Sequence, residues 1–353
     1  MKQDIKIIPT KQSSLDAIDF DHLAFGSTFT DHMFVCDYKE GKWETPQIVP
    51  FAPMQVSPAA SVLHYGQAVF EGMKAFKDEQ GCVWLFRPEL NAKRINKSAE
   101  RLAIPTFPED VFLEGMKKLI SLDQNWVKAG LGKSLYVRPF VFASEPGVQA
   151  SAANEYRFMI ICAPVASYYG GDVRVKIADH YSRAPQGGTG YAKAAGNYGG
   201  QFYPTQLAKK EGYQQIIWTD AATHEHIEEA GTMNLFFRIG DTLITAPISD
   251  SILDGVTRKS ILELATHMGI KTEVRLLKVS ELIEAKKSGE LLEIFGSGTA
   301  VVIQPIIGFG YKGNDYETPI PENSYASKLK NALLDIQYNK TEDSFGWRYK
   351  VCG

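Results

Sequence analysis

The stretch GYAKAAGNYGG (190–200) sets one long cationic side chain, Lys193, among four glycines and three alanines, with Tyr191 and Tyr198 close by. A surface lysine needs no such clearing; an amine that must meet a flat ligand lying close to the backbone does. A carboxylate, Glu229, comes immediately before AGTMNLFF (230–237), a small-residue turn into a strand, from which an acid can be presented to a ligand. In DSILDGVTRKS (250–260), Gly255, Val256 and Thr257 fall at a helix start, where backbone N–H groups and the positive end of the helix dipole suit an anion. FGSGTA (295–300) is a second small-residue turn, with hydroxyls on Ser297 and Thr299, and Arg87 and Arg94 flank a further helix start. Either arginine could equally be a solvated surface charge.

Each feature alone is ambiguous. Together they supply an amine in a roomy loop, an acid, two anion-ready turns and an arginine, and that inventory suits pyridoxal 5′-phosphate. The amine attaches the aldehyde, the acid holds the pyridine nitrogen protonated, and backbone amides with an arginine bind the phosphate. Two other motifs carry less. GLGKS (130–134) ends like a phosphate-binding P-loop, but Val127 stands where that loop needs a glycine, and a strand follows instead of a helix. His224 and His226 in HEHIEE (224–229) could begin a metal site, yet no further ligands follow at a recognisable spacing, so a turn and strand edge is expected and no metal.

The elements that must position these residues are mixed. VWLFRP (83–88), SLYVRPFVFA (134–143) and YRFMIICAPV (156–165) read as strands, rich in aromatic and β-branched residues. The spacing predicts helices over 88–104, 199–213, 255–270, 279–288 and 322–338, the first with proline near its start. Between them QQIIWT, NLFFRI, DTLITAP, TEVRLL and LLEIFGSG read as strands. No regular βαβ alternation appears, so a mixed α+β fold is expected. ASYYGGD (166–172) breaks the pattern, giving a smaller N-terminal α/β domain (1–165), a linker (166–176) and a larger C-terminal domain (177–353) that carries the lysine.

Composition bounds the function. With 353 residues, 44% hydrophobic and 22% charged, the chain has the make-up of a two-domain globular protein. A net charge of −3 provides no basic field for nucleic acid or an anionic membrane. The longest apolar stretch, FMIICAPVA (158–166), is far short of the ~20 residues of a membrane helix. The N-terminus lacks a signal-peptide core, and Cys36, Cys82, Cys162 and Cys352 form no CxxC pair, so a reducing cytoplasm is expected.

The wording and order of the motifs then point to a family. FGSTFTDHM (25–33), LHYGQAVFEGMKAF (63–76), LFRPELNAKR (85–94), YVRPF (136–140), GNYGG beside Lys193, EEAGTMN (228–234), DGVTRKS and FGSGTA follow one another over nearly the whole chain. The sequence resembles the branched-chain amino acid aminotransferases, fold-type IV enzymes of D-amino acid aminotransferase-like architecture.

The resemblance implies transamination of L-leucine, L-isoleucine and L-valine with 2-oxoglutarate, giving branched-chain 2-oxo acids and L-glutamate. It implies Lys193 as the cofactor-attaching lysine and proton carrier, Glu229 at the pyridine nitrogen and Tyr198 at the ring oxygen. Arg94, Val256, Thr257 and Thr299 would hold the phosphate. Phe25, Tyr65, Tyr136, Tyr168 and Thr232 would line the side-chain pocket, Arg138 would meet the acidic co-substrate, and the Thr299–Ala300 turn the substrate carboxylate. A homodimer that shares its active sites across the interface is implied too. Where mammalian members carry a CxxC pair after GSGTA, this chain has VVIQ (301–304), so that redox switch is missing and a bacterial type is implied. A D-amino acid or amine transaminase on the same fold and a catalytically silent ligand-binding protein are the rival readings.

Overall fold

The fold is described from a computed structural model covering residues 4–166 and 171–353. It divides into two compact units, Met1–Tyr168 with Ala192–Gly196 and Asp335–Gly353, and Tyr169–Tyr191 with Asn197–Leu334. The lysine segment therefore groups with the first unit.

In the first unit the sheet runs Lys6–Ile7, Gln47–Pro50, His32–Lys39, Tyr156–Val165, Ser134–Ala143, Met73–Lys77, Val83–Phe86 and Arg348–Cys352. The two central strands pair antiparallel from Ser134↔Val165 to Ala143↔Tyr156, and in Ser134–Ala143 the half-buried Tyr136, Arg138 and Phe140 alternate with buried neighbours. Helix Glu109–Leu122 packs on His32–Lys39, with Gly115 at the contact because a Cβ there would lie 2.5 Å from the Phe34 ring. Helix Pro88–Arg101 has its proline in the first turn, where the missing N–H is no loss. Asn91, Ala92, Ile95, Ser98 and Ala99, three or four apart, form its buried face, and this face packs on the short strand Ala68–Phe70.

In the second unit the order is Lys271–Val274, Thr242–Thr245, Asn234–Ile239, Leu291–Gly298, Val302–Tyr311, Val173–Ile177, Gln215–Thr219, His226–Ala230 and Leu277–Lys278. An added pairing, Glu229↔Asn234, joins His226–Ala230 back to Asn234–Ile239 and closes part of the sheet into a ring. Val175, Ile217, Leu235, Phe237 and Phe309 belong to one buried core within it.

Helix Glu109–Leu122 and strand Val302–Tyr311 have no counterpart in the sequence reading, and two expected elements differ from it. The helix expected over 199–213 spans Gly196–Lys210, so Tyr198 lies in its first turn. Asn197 ties that start down: its Oδ1 accepts from Thr189 Oγ1 at 2.7 Å and its Nδ2 donates to Thr189 O at 2.8 Å. The single strand expected from TEVRLL is two, Lys271–Val274 and Leu277–Lys278, broken where Arg275 N–H donates to Thr245 O. Among the described residues no helix is long and apolar enough to cross a membrane.

Candidate active site

In the first unit the lysine is fixed by its backbone. Val69 bridges to Ala194, Phe70 N–H donates to Lys193 O at 3.1 Å and Ala195 N–H to Ala68 O at 3.0 Å. Lys193 N–H donates to Ser98 Oγ at 2.9 Å, and that hydroxyl donates to Arg94 O at 2.9 Å. Helix Pro88–Arg101 and strand Ala68–Phe70 thus hold the segment between them, while the half-buried side chain places its Nζ 4.8 Å from the centroid of the Phe70 ring.

Phe70 connects the lysine to three residues expected in the pocket. The Arg138 guanidinium lies 4.6 Å from the Phe70 centroid and its Nη2 donates to Tyr136 Oη at 2.8 Å. Tyr136 in turn meets Phe25 edge to face at 5.1 Å. Gly72 makes room for that tyrosine, since a Cβ there would sit 2.2 Å from its hydroxyl. Tyr65 is apart from this cluster: it is exposed at the end of helix Ser61–Tyr65 and donates its hydroxyl to Val148 O. Tyr168 lies outside the described residues.

Arg94 is held by a residue that sequence reasoning missed. Glu71 is fully buried and accepts from Arg94 Nε at 2.7 Å and Nη2 at 2.9 Å. Asn91 Nδ2 at 2.7 Å and Gly72 N–H at 3.1 Å complete its shell. Burial alone would push the Glu71 carboxyl up; the charge and hydrogen bonds of Arg94, then the charge of Lys193, bring it below the usual carboxylate range. Arg94→Ala leaves that carboxylate buried without its counter-ion and is expected to lower unfolding free energy by about 3–5 kcal/mol in a urea titration. Replacing both partners by methionine should recover most of this loss. A single variant as stable as wild type would refute the buried-charge account.

In the second unit the acid is equally well held. Glu229 Oε1 pairs with Arg183 Nη2 at 2.9 Å, both side chains being buried. Its Oε2 accepts from Asn234 Nδ2 at 2.9 Å and from Leu253 N–H at 3.3 Å. Arg183 also donates Nη1 to Ser251 O at 2.6 Å and both terminal nitrogens to Gly190 O at 3.1 Å. Glu228, the neighbouring acid, faces a different partner, accepting from Ser251 Oγ, and burial raises its carboxyl.

Asn234 is the joint of this unit. A Cβ on Gly255 would lie 1.9 Å from its Oδ1, which brings it against the start of helix Val256–His267. Among the described residues no side chain caps that helix, so the N–H groups of Val256 and Thr257 begin it uncapped by a side chain, as anion binding requires. Asn234 also pairs with Ser297, and Gly298 lets the Thr232 carbonyl approach to 3.2 Å of where its Cβ would be. Thr232 and the Thr299–Ala300 turn therefore share one edge.

The small residues around Lys193 serve several ends. Gly190 has no room for a side chain because Ser251 Cα would be 2.5 Å away, and Ala192 and Ala194 are buried. A Cβ on Gly196, Gly199 or Gly200 would meet nothing within 4 Å, so the clearing lies on the C-terminal side of the lysine. The first unit thus offers an amine beside aromatic rings and a fixed arginine. The second offers a buried, ion-paired acid, a helix N-terminus and a hydroxyl-bearing turn. Arg183, Glu71 and Phe70 gave no local signal in the sequence, since the partners that matter lie far along the chain, whereas Asn234 stands within EEAGTMN, five residues from Glu229, and was not singled out.

Residues 68–308 match the amino-transferase class IV family. Branched-chain-amino-acid transaminase 1 of Bacillus subtilis (strain 168) is 43% identical over 335 residues, 93% of this chain and 94% of its own. The branched-chain amino acid aminotransferase of Escherichia coli superposes with a TM-score of 0.71 at 25% identity, over 91% of this chain and 99% of that one. The branched-chain aminotransferase of the thermophilic archaeon Thermoproteus uzoniensis, solved with norvaline, gives 0.73 at 22% identity, over 91% and 99%.

Proposed function

The chain belongs to the class IV aminotransferase family, and from that premise we propose that it transfers the amino group of L-leucine, L-isoleucine and L-valine to 2-oxoglutarate. The observation that carries the substrate class is the contact chain Phe25–Tyr136–Arg138–Phe70–Lys193. It sets an amine against the Phe70 ring, joined through one arginine that suits the second carboxylate of glutamate to two further rings that favour an aliphatic side chain.

Class IV aminotransferases are pyridoxal-phosphate enzymes, and the residues present fit that group. Buried Glu71 orients a cationic fork, the helix starting at Val256 carries no side-chain cap, and the buried Ser297 Oγ has no protein partner among the described residues. When bound, the cofactor supplies an aldehyde that carries the amino group and a ring that accepts electrons. In the roles the resemblance implies, Lys193 would attach it and carry the substrate α-proton on Nζ. Glu229 would hold a proton at the ring nitrogen, and Tyr198 would hydrogen-bond the ring oxygen. Arg94, the N–H groups of Val256 and Thr257, and Thr299 would bind the phosphate. Phe25, Tyr65, Tyr136, Tyr168 and Thr232 would contact the substrate side chain, and the Thr299–Ala300 turn would take the substrate carboxylate.

The protein acts as a homodimer in the cytoplasm, in keeping with the exposed apolar side chains Leu63, Tyr65 and Val148 and four free cysteines. A monomeric mass on sedimentation would remove the dimer. The activity is tested by incubating the cofactor-loaded protein with single amino acids and 2-oxoglutarate and measuring glutamate. L-Leucine, L-isoleucine and L-valine should support turnover, and D-amino acids and simple amines should not. Faster turnover of D-alanine than of L-leucine would transfer the assignment to the D-amino acid branch of the fold.

A further inference from the structure

Glu71 has a cost that its surroundings do not explain as packing. A carboxylate with no solvent exposure is an expensive core residue, commonly replaceable by an apolar one without loss of stability. Its acceptors are all in use: Oε1 takes Arg94 Nε, and Oε2 takes Arg94 Nη2, Asn91 Nδ2 and Gly72 N–H. The fork on Arg94 is side-on, through the Nε–Nη2 edge, which turns the Nη1 end of the guanidinium away from the carboxylate. Glu71 is itself anchored, its N–H donating to Pro139 O at 2.7 Å, and it directly follows Phe70, whose N–H holds Lys193 O. On the opposite side Ser98 Oγ links Arg94 O to Lys193 N–H. One residue therefore sets the guanidinium's direction and adjoins the backbone contact that sets the lysine's position.

We propose that Glu71 is a positioning residue that acts through Arg94, aiming the guanidinium at the cofactor phosphate and so fixing the anion anchor relative to the Lys193 amine. This rests on the cofactor reading above. Conformational entropy favours an acid over an apolar residue at this position. A lone buried arginine can adopt several rotamers, whereas a bidentate partner with a fixed backbone leaves it one. Glutamine cannot replace the acid: it has a single acceptor oxygen, and its amide NH2 must then face Arg94, Asn91 or Gly72, all of them donors.

The test compares two aldehydes that differ only at the phosphate. Wild-type protein, Glu71→Gln and Glu71→Asp are stripped of cofactor and titrated with pyridoxal 5′-phosphate and with pyridoxal. Adduct formation is read by absorbance and by borohydride trapping. In wild type the phosphate should give a large preference. Glu71→Gln should reduce that preference by at least about tenfold, with affinity for pyridoxal nearly unchanged. Glu71→Asp keeps the charge but withdraws the fork, so it should lose less in the same direction, and it serves alone if the glutamine variant does not fold. Arg94→Met should lose the preference too, and Glu71→Gln added to it should lose no more, because both act at one contact. Equal losses for the two aldehydes, an unchanged preference in both variants, or additive losses in the double variant would overturn the proposal. A wild-type protein that forms no adduct with either aldehyde would overturn the cofactor reading itself, and the proposal with it.

Discussion

Lys193→Ala is expected to abolish transamination and the borohydride-stable adduct with the cofactor while leaving the protein folded. The fold is spared because of how the segment is held. The bonds from Phe70 to Lys193 O and from Lys193 to Ser98 Oγ, and the Val69–Ala194 bridge, use backbone atoms that alanine also has. The side chain is half-buried; its contact with the Phe70 ring is an interaction of about 0.5–1 kcal/mol, and Glu71, which also feels its charge, keeps Arg94 as its counter-ion. Urea midpoints should therefore differ little. Activity should be lost because the proposed function gives the amine two roles. Losing the nucleophile removes covalent attachment, and losing the proton carrier alone is worth about 10²–10⁴-fold. Turnover should fall to the detection limit, with partial recovery on adding small primary amines that restore a base. A trapped adduct persisting in the variant, mapped to another lysine by peptide mass, would overturn the assignment.

The parts of this protein that were legible in its sequence are those whose cause is local. Helix Pro88–Arg101 announces itself by proline in the first turn and apolar residues three and four apart, and strands Ser134–Ala143 and Tyr156–Val165 by aromatic and β-branched runs. Strand Val302–Tyr311 is the opposite case. Pro305, Gly308 and Gly310 lower its strand propensity, and the glycines are there for distant reasons. A Cβ on Gly308 would lie 2.9 Å from the Arg174 guanidinium, and one on Gly310 would lie 2.1 Å from Tyr213 Oη.

The site divides in the same way. The motif residues Lys193, Arg94 and Glu229 could be picked out by wording, but what holds them could not. Glu71 reaches Arg94 across 23 positions, and Arg183 reaches Glu229 from another loop altogether. Glu228 and Glu229 are adjacent acids with equal claims on composition. The wording before AGTMN picks out Glu229, and strand alternation gives the physical reason, turning one to Ser251 and the other to Arg183, Asn234 and Leu253.

That separation decides the largest effect expected after Lys193. The Arg183 guanidinium, the Asn234 amide and the Leu253 N–H all donate to the Glu229 carboxylate. Such a shell holds a negative charge, and that charge is what a protonated ring nitrogen needs opposite it. Glutamine at this position has no charge and places an NH2 group against one of those donors. In the proposed role the acid would matter most at the chemical step, so the loss should fall there and spare substrate binding. Glu229→Gln should thus still attach the cofactor and still bind leucine, with kcat reduced about a thousandfold, the equivalent of ~4 kcal/mol of transition-state stabilisation. Glu228→Gln is the matched control. Its amide oxygen can still accept from Ser251 Oγ, and no contact that Glu229 uses is lost, so its kcat should stay near wild type. The measurement is single-turnover consumption of L-leucine by cofactor-loaded protein, mixed rapidly and followed by absorbance. Decay at the wild-type rate in Glu229→Gln would remove this acid from the chemistry, and a thousandfold loss in Glu228→Gln instead would transfer the role to its neighbour.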